Sequence, residues 1–203
     1  MAARVVLLAG ASGSGKTSLC RRLGLPVLAL DDFYRDGPVP GQPPEPGPSM
    51  PHRFGIVDWD DPASWRAADA LETIEALCRN GSADVPVYDI PSSRRSGTSR
   101  LDLGGAPLFL AEGIFAAELV ADCRAGGTLA DALCLKLHPA VTFGRRLLRD
   151  LAESRKPPLT LVRRGIGLAR AEPALVERWT GLGCRPVSIA QAEQAVRQLA
   201  TVA

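Results

Sequence analysis

Residues 10–17 read GASGSGKT, and the reading of that octet decides the rest of the chain. It satisfies G-x-x-x-x-G-K-[ST] in full. Arg4 to Ala9 before it is a short apolar run of buried-strand character, and Ser18 to Leu23 after it is the body of a short helix. Strand, glycine-rich turn and helix in that order make a phosphate cradle. Backbone N–H groups of the turn and helix start face a β-phosphate, Lys16 reaches the β and γ oxygens, and Thr17 holds magnesium. The expected nucleotide-binding set is Gly10, Ala11, Ser12, Gly13, Ser14, Gly15, Lys16, Thr17 and Ser18.

Composition limits what else the chain can do. Its 203 residues suit one domain, and 46% hydrophobic content is ample for a core. A formal net charge of +2 is too small to point to nucleic acid. Of the basic residues 21 are Arg and 3 are Lys, so a lone arginine carries little meaning and a cluster more. Cys20, Cys78, Cys123, Cys134 and Cys184 are widely spaced without C-x-x-C, which argues against a zinc ribbon or disulfide scaffold and fits a reducing compartment. The N-terminal MAARVVLLAG lacks the long apolar region of a signal peptide, and no stretch approaches membrane-spanning length, so a cytoplasmic protein is expected.

Strand-like and helix-like segments alternate along the chain, which predicts a mostly parallel sheet covered on both faces. Val27 to Leu30 is a second strand; Val85 to Val87, Pro107 to Ala111, Ala132 to Leu137 and Arg185 to Val187 are further ones. Asp61 followed by Pro62 predicts a capped helix start, with Trp65, Ala68, Leu71, Ile74 and Leu77 in helical spacing. A helix is predicted from Ala140 to about Ser154, helical character from 159 to 178 with a break near Glu172–Pro173, and a terminal helix capped by Ser188 and running through Leu199. The proline-rich stretch 36–51 is neither helix nor central strand; it reads as a substrate lid or as a disordered surface insertion.

A phosphate cradle alone does not specify chemistry. There is no N-K-x-D for guanine and no persuasive switch segment, which disfavours a GTPase. A small-molecule kinase needs a carboxylate near an acceptor hydroxyl and a cationic clamp on the transferred phosphoryl. Ligands of open α/β sheets sit beyond the C-terminal strand ends. Asp31 and Asp32 end the second strand in LALDDFYRD, and Glu112 ends PLFLAEG. Either aspartate would orient the hydroxyl, and Glu112 would hold magnesium or its waters. GRRLLRDLAESRK, residues 144–156, places Arg145, Arg146, Arg149, Arg155 and Lys156 on or just beyond one helix, with Arg145 and Arg149 at i,i+4 on one face and Arg146 and Arg149 at i,i+3.

These residues resemble the uridine kinase family, and more broadly the P-loop kinases of phosphoribulokinase and bacterial pantothenate kinase type. The family's GxSGSGKT, D-S-F-Y, D-H-P, P-V-Y-D-F, F-E-G-I and R-R-x-x-R-D correspond in order and rough spacing to GASGSGKT, DDFY (31–34), WDDP (59–62), PVYDI (86–90), AEGI (111–114) and RRLLRD (145–150). The match spans about residues 4–156. It implies a three-layer α/β/α P-loop kinase over 1–203 with a helical lid at about 150–170, using ATP and Mg2+. It places the catalytic aspartate at Asp31, the nucleobase-side tyrosine at Tyr88 and a substrate-binding arginine at Arg95. Lys16 and Arg149 are the expected catalytic cations, Lys156 joins the nucleotide site, and Thr17 and Glu112 bind the metal. Two positions depart from the pattern: Ser93 stands where the family has its base-contacting His, and Thr142 where it has an Arg. The acceptor implied is a small molecule, uridine or another nucleoside, with a pantothenate-like or sugar-alcohol acceptor, or a nucleotide-gated regulator, as the alternatives. No nucleic-acid or membrane partner is implied, and the sequence does not give an oligomeric state.

Overall fold

The computed structural model describes residues 2–38, 49–53, 56–136 and 173–202. Arg149, Lys156, Thr142, the predicted helix from Ala140, the lid at 150–170 and most of the proline-rich loop lie outside the described residues.

In chain order the strands are β1 (Arg4–Ala9), β2 (Val27–Ala29), β3 (His52–Arg53), β4 (Ile56–Val57), β5 (Ser82–Asp89), β6 (Arg94–Asp102), β7 (Leu108–Gly113), β8 (Leu129–Leu135) and β9 (Arg185–Val187). The helices are α1 (Lys16–Leu23), α2 (Ala67–Asn80), α3 (Val120–Ala125), a helical run over 173–181 and a C-terminal helix, Ile189–Val202. One sheet of order β2-β7-β1-β8-β9 forms the centre, and its pairings are all parallel.

The alternation of side chains along β1 explains the layers. Val5, Leu7 and Ala9 point to one face, where they join Phe109, Ala111, Ile74, Leu77, Cys123 and Trp179. Val6 and Leu8 point to the other, against Leu19, Cys20, Leu110, Leu133, Ala192 and Val196. Helix α2, α3 and the 173–181 run therefore cover one face, and α1 and the C-terminal helix the other: a three-layer α/β/α fold with a parallel sheet. Because β1 is buried on both faces, it reads as a continuous apolar run rather than an alternating one.

The sheet register also brings the chemistry to one edge. Leu8 pairs with Glu112, and Ala29 pairs with the same Glu112. The P-loop leaving β1 and the turn leaving β2 thus emerge on either side of Glu112.

Helix α3 and the short β3–β4 pair were not expected from the sequence, and three further features differ from the expectation. The Asp61–Pro62 start is only a short 3-10 turn, Pro62–Ser64, with Asp61 Oδ1 accepting from Ala63 N at 2.8 Å. Trp65 then returns to extended backbone and α2 begins at Ala67. Tertiary bonds overrode the local signal: Trp65 Nε1 donates to Leu30 O at 2.8 Å and Arg66 N to Phe33 O at 2.9 Å. The buried face of α2 is accordingly Ala70, Ile74, Leu77 and Cys78, while Ala68 is exposed. Second, 85–87 belongs to a longer strand, β5, which pairs antiparallel with β6 in a hairpin outside the central sheet. Strand β6 was not expected, because RRSGTSRLD has almost no apolar residue and lies mostly exposed. Third, Glu112 lies within β7 and not after it, since the strand runs on to Gly113. The predicted cap at Ser188 is present and reciprocal: Gln191 N donates to Ser188 Oγ at 3.3 Å, and Ser188 N to Gln191 Oε1 at 2.9 Å.

Candidate active site

A cavity of about 870 Å3 opens at the C-terminal edge of the sheet. Gly10, Ser12, Gly13, Gly15, Lys16, Thr17 and Ser18 line it, while Ala11 and Ser14 are buried under the loop. Gly15, immediately before α1, has φ 92°, a conformation that side chains resist, and it turns the loop into the helix. The Lys16 ammonium is held over the loop, donating to Gly10 O at 2.8 Å.

Glu112 meets this group from β7. Its Oε2 lies 3.7 Å from Lys16 Nζ, and its Oε1 accepts from Thr17 Oγ1 at 3.2 Å. Burial pushes the Glu112 carboxyl above its usual range; Lys16 opposes that only in part, and the Asp31 charge adds to it. A carboxylate and a hydroxyl converging beside a lysine form an oxygen-only donor set, which fits a hard cation such as magnesium. Among the described residues no group of three or more His, Cys, Asp or Glu side chains could by itself hold a metal ion. Any such ion would therefore depend on phosphate oxygens and water as well.

The two aspartates separate cleanly. Asp31 is exposed and lines the cavity. Asp32 turns away and accepts from Tyr88 N at 3.2 Å, fixing the β5–β6 hairpin to the turn after β2. Burial raises the Asp32 carboxyl pKa, the Tyr88 bond lowers it and the neighbouring Asp31 raises it further. Gly113 lets β7 pass close behind Asp31: a Cβ there would stand 2.8 Å from Leu30 Cβ and 3.0 Å from Asp31 Oδ1. That close approach was not anticipated from AEGI, and its signal there is the E-G step at a strand end.

Beyond Asp31 the wall is aromatic. Tyr34 stacks edge-on against Trp59 at 5.6 Å between ring centroids and tilts against Tyr88 at 5.8 Å. All three line the cavity, with Asp60, Ile90, Ser93 and Ile114. Tyr88 Oη donates to Arg35 O at 3.0 Å, which fixes its ring. Ser93 sits at the hairpin tip with φ 53° and its carbonyl accepts from Gly37 N at 2.8 Å. Tyr34, Trp59 and Asp60 were visible in DDFY and WDDP, but the sequence reading gave them no role, because only the folded chain shows rings from separate segments in contact.

Arg95 is the departure among the expected substrate residues. Its Nη2 lies 3.7 Å from Asp69 Oδ2, and its side chain lines a separate groove between α2 and the hairpin. Arg95 is opposite Tyr88 in the ladder, beside a register shift, yet its pairing with Asp69 on α2 takes it to the separate groove while Tyr88 lines the phosphate-loop cavity.

Comparison with known proteins accounts for the arrangement. A uridine kinase of Deinococcus deserti is 30% identical over 178 residues, covering 82% of this chain and 77% of that one. The chain belongs to the uridine kinase family. A uridine kinase of Geobacillus kaustophilus is 27% identical over 157 residues, covering 73% of this chain and 68% of its own length. No family model matches the chain. Among solved structures, a fructose transport system kinase from Silicibacter sp. TM1040 superposes with a TM-score of 0.61 at 18% identity, covering 92% of this chain and 88% of that one, and supports the fold. Like its uridine kinase relatives, the chain is an ATP-dependent small-molecule kinase. No helix among the described residues is long and apolar enough to cross a membrane.

Proposed function

We propose that the protein transfers the γ-phosphoryl group of ATP to a hydroxyl of a nucleoside, uridine being the leading acceptor. The observation that carries this reading is the joining, in one cavity, of the phosphate loop, the Asp31 carboxylate and the Tyr34–Trp59–Tyr88 wall. Aromatic faces suit a planar base, and Asp31 lines the cavity together with that wall and Lys16. In the reaction the acceptor oxygen forms a bond to Pγ as the bond from Pγ to the β,γ-bridging oxygen breaks. The hydroxyl proton passes to Asp31, and ADP leaves. Lys16 stabilises charge on the β and γ oxygens. Thr17 and Glu112 would hold magnesium, which supplies further neutralisation of the phosphate charge. Arg149 and Lys156, outside the described residues, are proposed to complete the clamp on the phosphoryl group from the segment matching R-R-x-x-R-D.

A second reading has a specific basis. Ser93 lines the acceptor end in place of the family's histidine, and a serine hydroxyl can neither stack nor carry charge. A non-nucleoside alcohol, sugar-like or pantothenate-like, would suit such an altered end. Steady-state kinetics on uridine, cytidine, pantothenate and sugar alcohols separates the two: the nucleoside reading requires the highest kcat/KM on a nucleoside. The five buried, free cysteines support a reducing, cytoplasmic setting.

A further inference from the structure

The β5–β6 hairpin lies outside the central sheet, yet it carries Tyr88 and Ser93 into the cavity. Its own ladder does not fix where its tip stands. Val87 pairs with Gly97 and Tyr88 with Arg95, so Ser96 is an extra residue on β6, and its Oγ donates to Val87 O at 3.2 Å. A strand bends at such a bulge. The tip beyond the bend is held from outside the hairpin, by residues 32–37.

Hydrogen bonds on both strands join the two segments. On β5 they fall on Tyr88, whose N donates to Asp32 Oδ1 and whose Oη donates to Arg35 O. On the β6 side Arg95 N donates to Asp36 Oδ1 at 2.8 Å, and Gly37 N donates to Ser93 O at 2.8 Å. This second pair grips the turn at Ser93, whose φ of 53° is one that residues other than glycine hold only under constraint. Gly37 packs too closely there for a side chain: a Cβ would stand 3.1 Å from Ser93 Cβ, 3.3 Å from Ser93 O and 3.6 Å from Trp59 Cη2. Burial pushes the Tyr88 phenol up to about 12, and the nearby Asp36 charge adds to it.

We propose that Asp36 and Gly37 are positioning residues for the acceptor: they latch the hairpin tip and thereby hold Ser93 and Tyr88 in place at the acceptor end. This rests on the acceptor reading above. Both act through the hairpin, since neither lines the cavity. The latch asks only for an oxygen acceptor at position 36. An asparagine Oδ1 supplies one and an alanine does not. The donor is the main-chain N–H of Arg95, so it survives removal of the Arg95 guanidinium. A loosened tip costs acceptor binding and leaves the phosphate loop as it was, which raises KM for the acceptor without lowering kcat.

Two readouts on the full chain test it. The first needs no acceptor: hydrogen exchange of the Arg95 main-chain amide, followed by NMR. Asp36→Ala is expected to speed that exchange by about five- to tenfold, the scale of one lost hydrogen bond, and Asp36→Asn to restore the protection. The second is initial-rate kinetics with Mg·ATP and uridine, repeated with the alcohol of highest kcat/KM in the panel above. Asp36→Ala should raise the acceptor KM by about five- to tenfold on the same scale, with kcat and the KM for ATP unaltered. Gly37→Ala should raise the acceptor KM as well, while Asp36→Asn and Arg95→Ala should not. Unaltered exchange or acceptor KM in Asp36→Ala, failure of that variant to fold, an Asp36→Asn variant equally impaired, or an equal rise in the KM for ATP would each overturn the proposal. Faster exchange with an unchanged acceptor KM overturns this inference alone. An unmutated protein that phosphorylates no alcohol would instead overturn the acceptor reading, and this inference with it.

Discussion

Thr17 Oγ1 donates to Glu112 Oε1 at 3.2 Å, although 95 residues separate them in sequence. The contact exists because β1 and β7 are parallel neighbours paired in register, Leu8 opposite Glu112. It ties the nucleotide loop to the strand that also carries Gly113 behind Asp31.

Lys16→Ala should lower turnover by about 10²- to 10³-fold, the scale for losing one preorganised donor to developing negative charge. Lys16 is 8% exposed and already bonded to Gly10 O, so the ammonium is oriented before any nucleotide arrives. Single-turnover kinetics at saturating ATP measures the loss. Turnover equal to that of the unmutated protein would remove Lys16 from the mechanism.

Asp31 and Asp32 should part company on mutation. Asp31→Asn is expected to reduce kcat at least about 100-fold, in line with lost general-base catalysis, with melting temperature and ATP binding nearly unchanged. Asp32→Ala should instead destabilise the fold by about 1 kcal/mol, the value of the hydrogen bond it accepts from Tyr88 N. Thermal melts and kcat measured on both variants give the comparison; a stability loss in Asp31→Asn with normal kcat would reverse the assignment.

Glu112 sets a pH dependence of stated sign. Burial holds its proton on to higher pH in the folded protein than in the unfolded chain. Between the ordinary carboxylate value and the raised one, the folded state binds more protons, so this contribution to stability falls as pH rises. Asp32 is shifted in the same direction and adds to the slope. Glu112→Gln should flatten the stability slope of the nucleotide-free protein and abolish most of the magnesium response. Calorimetric melts across mildly acidic to neutral pH, with and without Mg·ATP, follow both effects.

Arg95→Ala is expected to leave KM for the acceptor within about twofold, since a half-exposed ion pair contributes little beyond its own locality and the guanidinium faces Asp69 outside the cavity. Tyr88→Ala should raise the same KM by about tenfold, the scale of one lost aromatic contact. Initial-rate kinetics over acceptor concentration compares the two. A larger effect from Arg95 than from Tyr88 would show that the arginine swings into the site.

The contrast between those two residues shows what the sequence could and could not tell. The strand, P-loop and helix were legible in residues 4–23 because each demands its own residue types: a doubly buried apolar strand, a glycine at φ 92°, a lysine after it. Asp31 and Glu112 were legible as carboxylates at strand ends. The side to which Arg95 turns was not, because it depends on a long-range ion pair with Asp69 of α2 that no local pattern encodes. Helix α2 was misplaced at its start for a related reason. The Asp61–Pro62 signal is real, but the bond from Trp65 Nε1 to Leu30 O is a long-range contact and it won. Strand β6 left little apolar trace because it is held mainly by its hairpin partner, with Leu101 packed against the core.

The most direct test of the central claim is a phosphate-transfer assay with Mg·ATP and a panel of nucleosides and neutral alcohols, reading phosphorylated product and ADP together. The account predicts that ADP release depends on an acceptor, that product appears in equal amount, and that Asp31→Asn abolishes both while still binding ATP. ADP release at the same rate with or without every acceptor, and no phosphorylated product, would contradict it.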